Sequence, residues 1–201
     1  MVLVGPPKWT RSPRLALAAA LTPYSEMDRK ALSNAQKFAS EGNGYLIQQS
    51  TRPQTLGYAL ADSPVGLLAW IYEKLHDWTD NYPWTDDEIL TWISLFWFSS
   101  AGPAASLRIY YESFRAMDLP SAVRDGFIPH VKYGIARLPK EVVMAPRSWY
   151  QGLGNIVQDT DGAVGGHFAA WEQPEFIANE VKRMFRKGSA AYGVIEGKDG
   201  Y

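Results

Sequence analysis

The sequence predicts an α/β protein in which a helical region of about 115 residues precedes a short parallel-sheet region. In the first region, apolar side chains recur at helical spacing behind capping residues and prolines. After Leu119-Pro120 the pattern becomes strand, helix, strand, helix, an order typical of a parallel sheet. We therefore place the division between Pro120 and Pro129.

Four helices are expected in the helical region, and they span 22–38, 64–75, 89–98 and 104–117. The first is expected to begin at Thr22-Pro23 and to stop at Gly42 or Gly44. The third follows a capping box formed by Thr85 and Glu88. Because this third helix is apolar on nearly all sides, we expect it to be buried.

The sheet region contains two β-like segments, 131–136 and 154–158, each followed by a helix. A turn and short helix over 141–149 follow the first segment. An amphipathic helix over 174–186, stopped by Gly188, follows the second. Basic residues at the end of this helix complement its dipole, which explains them without nucleic acid. They are Lys182, Arg183, Arg186 and Lys187.

Composition excludes several classes of function. Lys and Arg number 20 against 21 Asp and Glu, so the net charge of −1 gives no field that would attract nucleic acid or an anionic membrane. No cysteine is present, which excludes disulfides, thiolate metal sites and a cysteine nucleophile but fits any redox compartment. The sequence shows no signal peptide and no segment long enough to span a bilayer, and we expect a soluble, cytoplasmic protein.

A residue of catalytic type follows each β-like segment. Glu141 follows the first and His167 follows the second, 26 residues later in the chain. This order resembles that of α/β-hydrolases, whose triad acid and histidine follow in this sequence at the C-terminal ends of sheet strands, and the resemblance implies that Glu141 is the acid that orients the imidazole of a general base. Asp159 and Asp161 are rival acids, although both are typical of a turn before Gly162.

Several segments, taken in order, resemble one enzyme family. The run Gly-Gly-His-Phe-Ala-Ala-Trp-Glu-Gln-Pro-Glu at 165–175 is similar to a loop that carries a catalytic histidine. Segments 44–57 and 60–69 are similar to cap segments, 108–112 to a later cap motif and 138–141 to an acid segment. The family is the microsomal and fungal branch of the epoxide hydrolases, which have the α/β-hydrolase fold. The resemblance covers about residues 1–187 and implies a partial fold: a helical cap followed by the last strands and helices of the parallel sheet.

The resemblance also implies the site. His167 would be the general base, Glu141 its charge-relay acid, and Tyr45 and Tyr110 the donors to the epoxide oxygen, with Tyr111 as the alternative donor. A phenol suits this task because it can donate a hydrogen bond to the alkoxide that ring opening creates, as an oxyanion hole does. The implied substrate is a small apolar epoxide, and water is the second reactant. Neither a cofactor nor a metal ion is expected.

The nucleophile of the family is missing from the sequence. That nucleophile is an aspartate in a Gly-Gly-Asp-Trp-Gly motif, and neither this motif, nor Gly-x-Ser-x-Gly, nor the family's His-Gly-Trp-Pro loop occurs here. Asp62 is not a substitute, because its context matches the cap and it is expected to cap the helix that begins at Pro64. We expect a truncated chain, either a fragment or a degenerate remnant, that is inactive alone.

Three parts are expected along the chain. Residues 1–9 hold the end of a core strand, Val2-Leu3-Val4, and its exit loop; 10–125 form the helical cap; 126–201 form the C-terminal core segment. The first interpretation is an epoxide hydrolase family member, which converts an epoxide and water to a vicinal diol through an aspartyl ester. The alternative is a non-catalytic helical binding module, and a dehalogenase is a further one that does not need paired tyrosines. Open sheet edges also predict self-association.

Overall fold

The computed structural model describes residues 6–8, 12–116, 128–194 and 197. Helices joined by turns make up residues 13–115, and strands alternate with helices from residue 128 onward. This order confirms the α/β class. The predicted strand end at Val2-Leu3-Val4 lies outside the described residues, and so does most of the predicted boundary between Pro120 and Pro129.

Within residues 12–116 the structure describes seven α-helices and one π-helical turn. They are α1 (Pro13–Leu21), α2 (Glu26–Lys37), the π-helical turn (Phe38–Gly42), α3 (Gly44–Thr51), α4 (Pro53–Asp62), α5 (Pro64–Asp77), α6 (Asp86–Trp97) and α7 (Ala105–Arg115). The sequence does not predict α1, α3 or α4, and Gly44, expected as a stop, instead begins α3. Of the helices described, none has the length and apolar character needed to cross a bilayer.

Capping boxes fix the starts of two helices. Ser25 and Asp28 form one at α2, and Thr85 and Glu88 form the predicted one at α6. The start predicted at Thr22-Pro23 is wrong. Thr22 ends α1, where its hydroxyl donates to a carbonyl of that helix at 2.6 Å, and α2 begins four residues further on.

Asp62 does not cap α5, contrary to the prediction. It is the last residue of α4 and is exposed. The cap is Ser63, whose hydroxyl accepts the N–H of Gly66 at 3.0 Å. Pro64 opens α5, and a proline at the first helical position makes the residue directly before it the cap.

The core of the helical region forms where α4, α5, α6 and α7 meet, and its buried side chains are Leu60, Leu67, Ile89, Ile93 and Leu107. Although α6 contributes two of them, it leaves Leu90 53% and Leu95 67% exposed. The prediction that this helix is buried on all sides is therefore wrong. The helix packs against α5 through one face, and no element within the described residues covers Leu90 and Leu95.

The sheet region consists of two parallel strands and three helices within the described residues 128–194. They are β1 (Ile128–Arg137), α8 (Arg147–Tyr150), β2 (Gly154–Asp161), α9 (Ala169–Glu172) and α10 (Pro174–Phe185). Ile135 lies opposite Asp159 and Arg137 opposite Asp161, so both strands end at one edge. Most of β1 is exposed. Self-association through these edges stays a prediction.

A buried arginine at the end of β1 joins the sheet to the helices. Arg137 has a side chain only 1% exposed and donates to Asp28 of α2 at 2.6 Å and to Asp161 of β2 at 2.7 Å. Burial by itself raises the pKa of Asp28. The N–H of Arg147, the Arg137 guanidinium and Ser25 outweigh burial and lower this pKa to about 2.

Acid should remove the stabilisation that Asp28 provides. Since its pKa is about 2 in the folded chain against 3.8 ordinarily, roughly 2 kcal/mol of stability is present above about pH 4 and is lost as the pH falls toward 2. Asp28→Asn should therefore lower the free energy of urea unfolding at pH 7 by at least this amount, and its difference from the parent should narrow toward pH 2. Glu26→Gln, an exposed neighbour in α2, is the control. If the free energies of unfolding of Asp28→Asn and the parent differ by the same amount at pH 7 and near pH 2, the prediction is wrong.

Candidate active site

The loop that carries Glu141 is fixed from two sides. On one side Lys140 forms a parallel bridge with Gly166, and its N–H donates to the carbonyl of Gly165 at 3.0 Å. On the other side, the amide of Asn34 in α2 donates to the carbonyl of Pro139 at 3.0 Å and to that of Glu141 at 3.3 Å. The loops that follow β1 and β2 therefore run side by side under α2.

His167 and Glu141 meet at this edge of the sheet, with 2.8 Å between His167 Nδ1 and Glu141 Oε1. Burial raises the pKa of the Glu141 carboxyl, but His167 and the N–H groups of Val143 and Val142 outweigh burial and hold this pKa below its ordinary value. Glu141 is therefore an ionised acceptor at neutral pH, and Nδ1 must be the donor. This tautomer leaves Nε2 of His167 free to accept a proton.

Two glycines let the histidine loop approach the helical region closely. Gly165 has φ of +113°, a conformation that favours glycine, and a Cβ on Gly166 would lie 2.5 Å from the carbonyl oxygen of Trp78. With that contact open, the N–H of His167 donates to the same Trp78 carbonyl at 2.7 Å. The imidazole is thereby placed against the turn that follows α5.

Two carboxylates join the histidine loop to this turn. Asp80 Oδ2 accepts the N–H of Gly165 at 2.9 Å, Glu172 Oε1 accepts that of Gly166 at 3.1 Å, and Glu172 Oε2 accepts that of Asp80 at 2.7 Å. We call Trp78, Asp80 and Glu172 the latch. The name includes the three hydrogen bonds that the carboxylates accept and the hydrogen bond from the N–H of His167 to the Trp78 carbonyl. Sequence reasoning misses the latch. The one available signal is Glu172, which lies inside the run that resembles the histidine loop.

The two tyrosines lie beside each other, across Trp78 from the histidine. The ring centroids of Tyr45 and Tyr110 are 5.7 Å apart, and the Trp78 ring is 5.0 Å from Tyr45 and 5.2 Å from His167. Burial, and then Tyr110, raises the pKa of the Tyr45 phenol, which keeps it a protonated donor. Tyr111, the alternative donor, instead lies under the guanidinium of Arg115, 4.5 Å from its ring centroid.

A cavity of about 180 Å³ opens between the tyrosines and the aromatic side chains around them. Its lining is mostly apolar and comes from α3, α5, α6, α7 and Phe168, the residue after the histidine. Lys74 is its cation, and the ammonium lies 4.3 Å from the centroid of the Trp70 ring. The arrangement suits a small apolar molecule held next to two phenols.

The rival acids are engaged elsewhere. Asp159 lies 2.8 Å from Arg147, and Asp161 lies 2.7 Å from Arg137 and 2.8 Å from Arg147. Both are strand residues of β2 rather than the turn residues that the sequence predicts. Among the described residues, no group of three or more acidic or histidine side chains is arranged to hold a metal ion.

Comparison with known proteins points one way. Epoxide hydrolase 1 of Sus scrofa is 35% identical over 177 residues, which are 80% of this chain and 38% of that protein. The solved structure of Aspergillus niger epoxide hydrolase aligns with a TM-score of 0.67 at 35% identity, over 79% of this chain and 39% of its own. The crystal structure of juvenile hormone epoxide hydrolase from Bombyx mori aligns with a TM-score of 0.70 at 30% identity, and the alignment covers 90% of this chain and 46% of that one. No protein-family model matches the chain.

Parallel strands whose trailing loops bring an acid and a histidine together are typical of α/β-hydrolases, the fold of both solved structures. The predicted fold class is thus confirmed. The chain is related to the epoxide hydrolases of this fold, and the match fits a C-terminal fragment of such a protein. It spans about two fifths of the length of the relatives that it matches.

Proposed function

We propose that this chain supplies the general base, its acid partner and the two oxyanion donors of an epoxide hydrolase. The observation that carries this proposal is the 2.8 Å hydrogen bond between His167 and Glu141, beside a cavity that Tyr45 and Tyr110 line. On the same grounds we propose that residues 10–125 act as the cap and 126–201 as part of the catalytic core.

In the first step, a carboxylate oxygen of an aspartate attacks one carbon of the epoxide, and the bond between this carbon and the ring oxygen breaks. An ester forms, and the ring oxygen develops negative charge. Tyr45 and Tyr110 donate hydrogen bonds to this oxygen, which lowers the barrier because the oxygen carries more negative charge in the transition state than in the bound epoxide. This sequence contains no recognisable elbow motif that would carry the aspartate. In the proposed reaction a segment outside these 201 residues therefore supplies it.

In the second step, water attacks the ester carbonyl while Nε2 of His167 takes its proton. Glu141 stays ionised and stabilises the imidazolium that forms. Collapse of the tetrahedral intermediate breaks the bond between the carboxyl carbon and the ester oxygen, and the imidazolium of His167 returns its proton to that oxygen. The second proton of the water, left on the regenerated carboxyl group, neutralises the charge formed on the ring oxygen in the first step, so that the vicinal diol leaves and the aspartate is again ionised. The reaction adds one water to the epoxide, so no redox cofactor is needed.

The 201-residue chain alone is expected to form no diol, because its sequence has no recognisable elbow motif that would place an aspartate nucleophile beside the base. Joined to the nucleophile-bearing N-terminal segment of a relative, the chain should turn over an aryl epoxide such as styrene oxide. Diol is measured by chromatography after incubation of each purified protein, free of host hydrolases. We call the joined protein the completed enzyme.

The completed enzyme with its elbow aspartate changed to alanine is the matched control and should be silent. Diol formation by the chain alone would show that its nucleophile lies within these residues. A folded completed enzyme that leaves the epoxide intact would refute the proposed function and favour the helical binding module.

A further inference from the structure

The latch fixes the histidine loop against movement in both directions. On the side of the helical region, the loop is in direct contact with the turn after α5, because the N–H of His167 donates to the Trp78 carbonyl at 2.7 Å and Gly166 leaves no space there for a Cβ. Away from the cap, movement would break the bonds that Asp80 and Glu172 accept from Gly165 and Gly166. The position of His167, the next residue, is therefore set by these two carboxylates.

The two carboxylates of the latch accept hydrogen bonds from backbone N–H groups. In the part of the chain that the structure describes, the Asp80 and Glu172 carboxylates accept hydrogen bonds from backbone N–H groups alone, and neither makes an ion pair within 4.0 Å. A charged acceptor makes a stronger hydrogen bond to an N–H than a neutral one does. The Glu172 carboxylate also takes the N–H of Asp80, so the two residues support one another.

The latch also spans the two halves of the site. Its Trp78 ring lies between Tyr45 and His167, about 5 Å from each. We propose that Asp80 and Glu172 are positioning residues that hold the imidazole against Glu141 and fix its separation from the phenols. This inference rests on the proposed role of His167 as the base, but it concerns placement and is tested without turnover.

The test measures how fast diethyl pyrocarbonate modifies each histidine of the full 201-residue chain, with peptide mass spectrometry as the readout. The chain has three histidines, and the exposed His76 and His130 serve as internal references. The reagent attacks an uncharged ring nitrogen that it can reach, and the His167 side chain is 25% exposed against 69% for His76, so His167 should react more slowly than the references. Release of the ring should raise its rate toward those of the references.

Asp80→Ala and Glu172→Gln should each raise the rate at His167 about fivefold or more, with the rates at the references unchanged. Glutamine keeps one acceptor oxygen and turns an N–H₂ toward the second N–H, so it loses half of the latch at nearly constant volume. Asp80→Asn should give a rate between those of the parent and Asp80→Ala, since its amide oxygen still accepts from Gly165 but without the charge. Asp77→Ala is the matched control, because Asp77 lies 2.7 Å from His76 and should affect that histidine alone.

Two results would overturn the positioning role. One is a parental rate at His167 in both Asp80→Ala and Glu172→Gln. The other is an equal rise at all three histidines, which would make the latch a contribution to overall stability. If Asp80→Ala fails to fold, the nearly isosteric Glu172→Gln decides. A held His167 in a completed enzyme without turnover would refute the proposed function and leave the latch intact.

Discussion

Replacing His167 with alanine in the completed enzyme is expected to stop the reaction at the covalent ester. Attack by the aspartate needs no base, whereas hydrolysis needs a group to take the proton of water, and a positioned general base contributes about a hundredfold to ten-thousandfold. One equivalent of epoxide should therefore be consumed without diol release. Intact-protein mass spectrometry should show the enzyme heavier by the mass of one epoxide molecule.

His76→Ala is the matched control, because His76 is an exposed histidine paired with Asp77 on the surface of α5. It should turn over at the parental rate. Glu141→Ala should slow hydrolysis as well, since the imidazolium of His167 would lose its only charged partner among the described residues. Parental turnover of His167→Ala would show that another residue is the base.

The sequence is sufficient to pair Glu141 with His167, because parallel strands end at one edge and the loops that follow them must be neighbours. The structure adds the bridge between Lys140 and Gly166, which continues the alignment of the strands into the loops. The 26 residues that separate the acid and the base are the length of one crossover between neighbouring strands. The pairing therefore follows from local patterns together with one rule of topology.

The latch cannot be derived in this way. Asp80 bonds to Gly165, 85 residues away, and Glu172 bonds to Asp80, 92 residues away. A single sequence gives no signal for contacts between a helical region and a distant loop, since any surface carboxylate has the same local pattern. The same limit hides the ion pair between Asp28 and Arg137, which are 109 residues apart.

Some local predictions fail for reasons that the sequence does contain. Pro64 at the start of α5 identifies Ser63 as the cap, and Asp62 as the residue before it. Others fail because tertiary packing decides. Leu95 of α6 is apolar but 67% exposed, since a helix is buried only where another element covers it.

The tyrosines should give a large effect on the first step. Removing one oxyanion donor commonly costs about a hundredfold to a thousandfold in rate. Tyr45→Phe and Tyr110→Phe in the completed enzyme should each slow ester formation by about that factor, and the double variant should be slower than either. Because the lost hydroxyls act mainly on charge that develops in the transition state, binding of the apolar part of the substrate should change little.

Single-turnover ester formation, followed by rapid quench and mass spectrometry, measures this step apart from hydrolysis. Tyr111→Phe tests the alternative donor, because Tyr111 is adjacent to Tyr110 but lies under Arg115, and we expect the parental rate. Burial and Tyr110 keep the Tyr45 phenol protonated well above neutral pH, so the rate of ester formation should not fall through loss of this donor in mildly alkaline buffer. A double variant that forms the ester at the parental rate would assign Tyr45 and Tyr110 to packing, and a large loss in Tyr111→Phe alone would move the donor role to that residue.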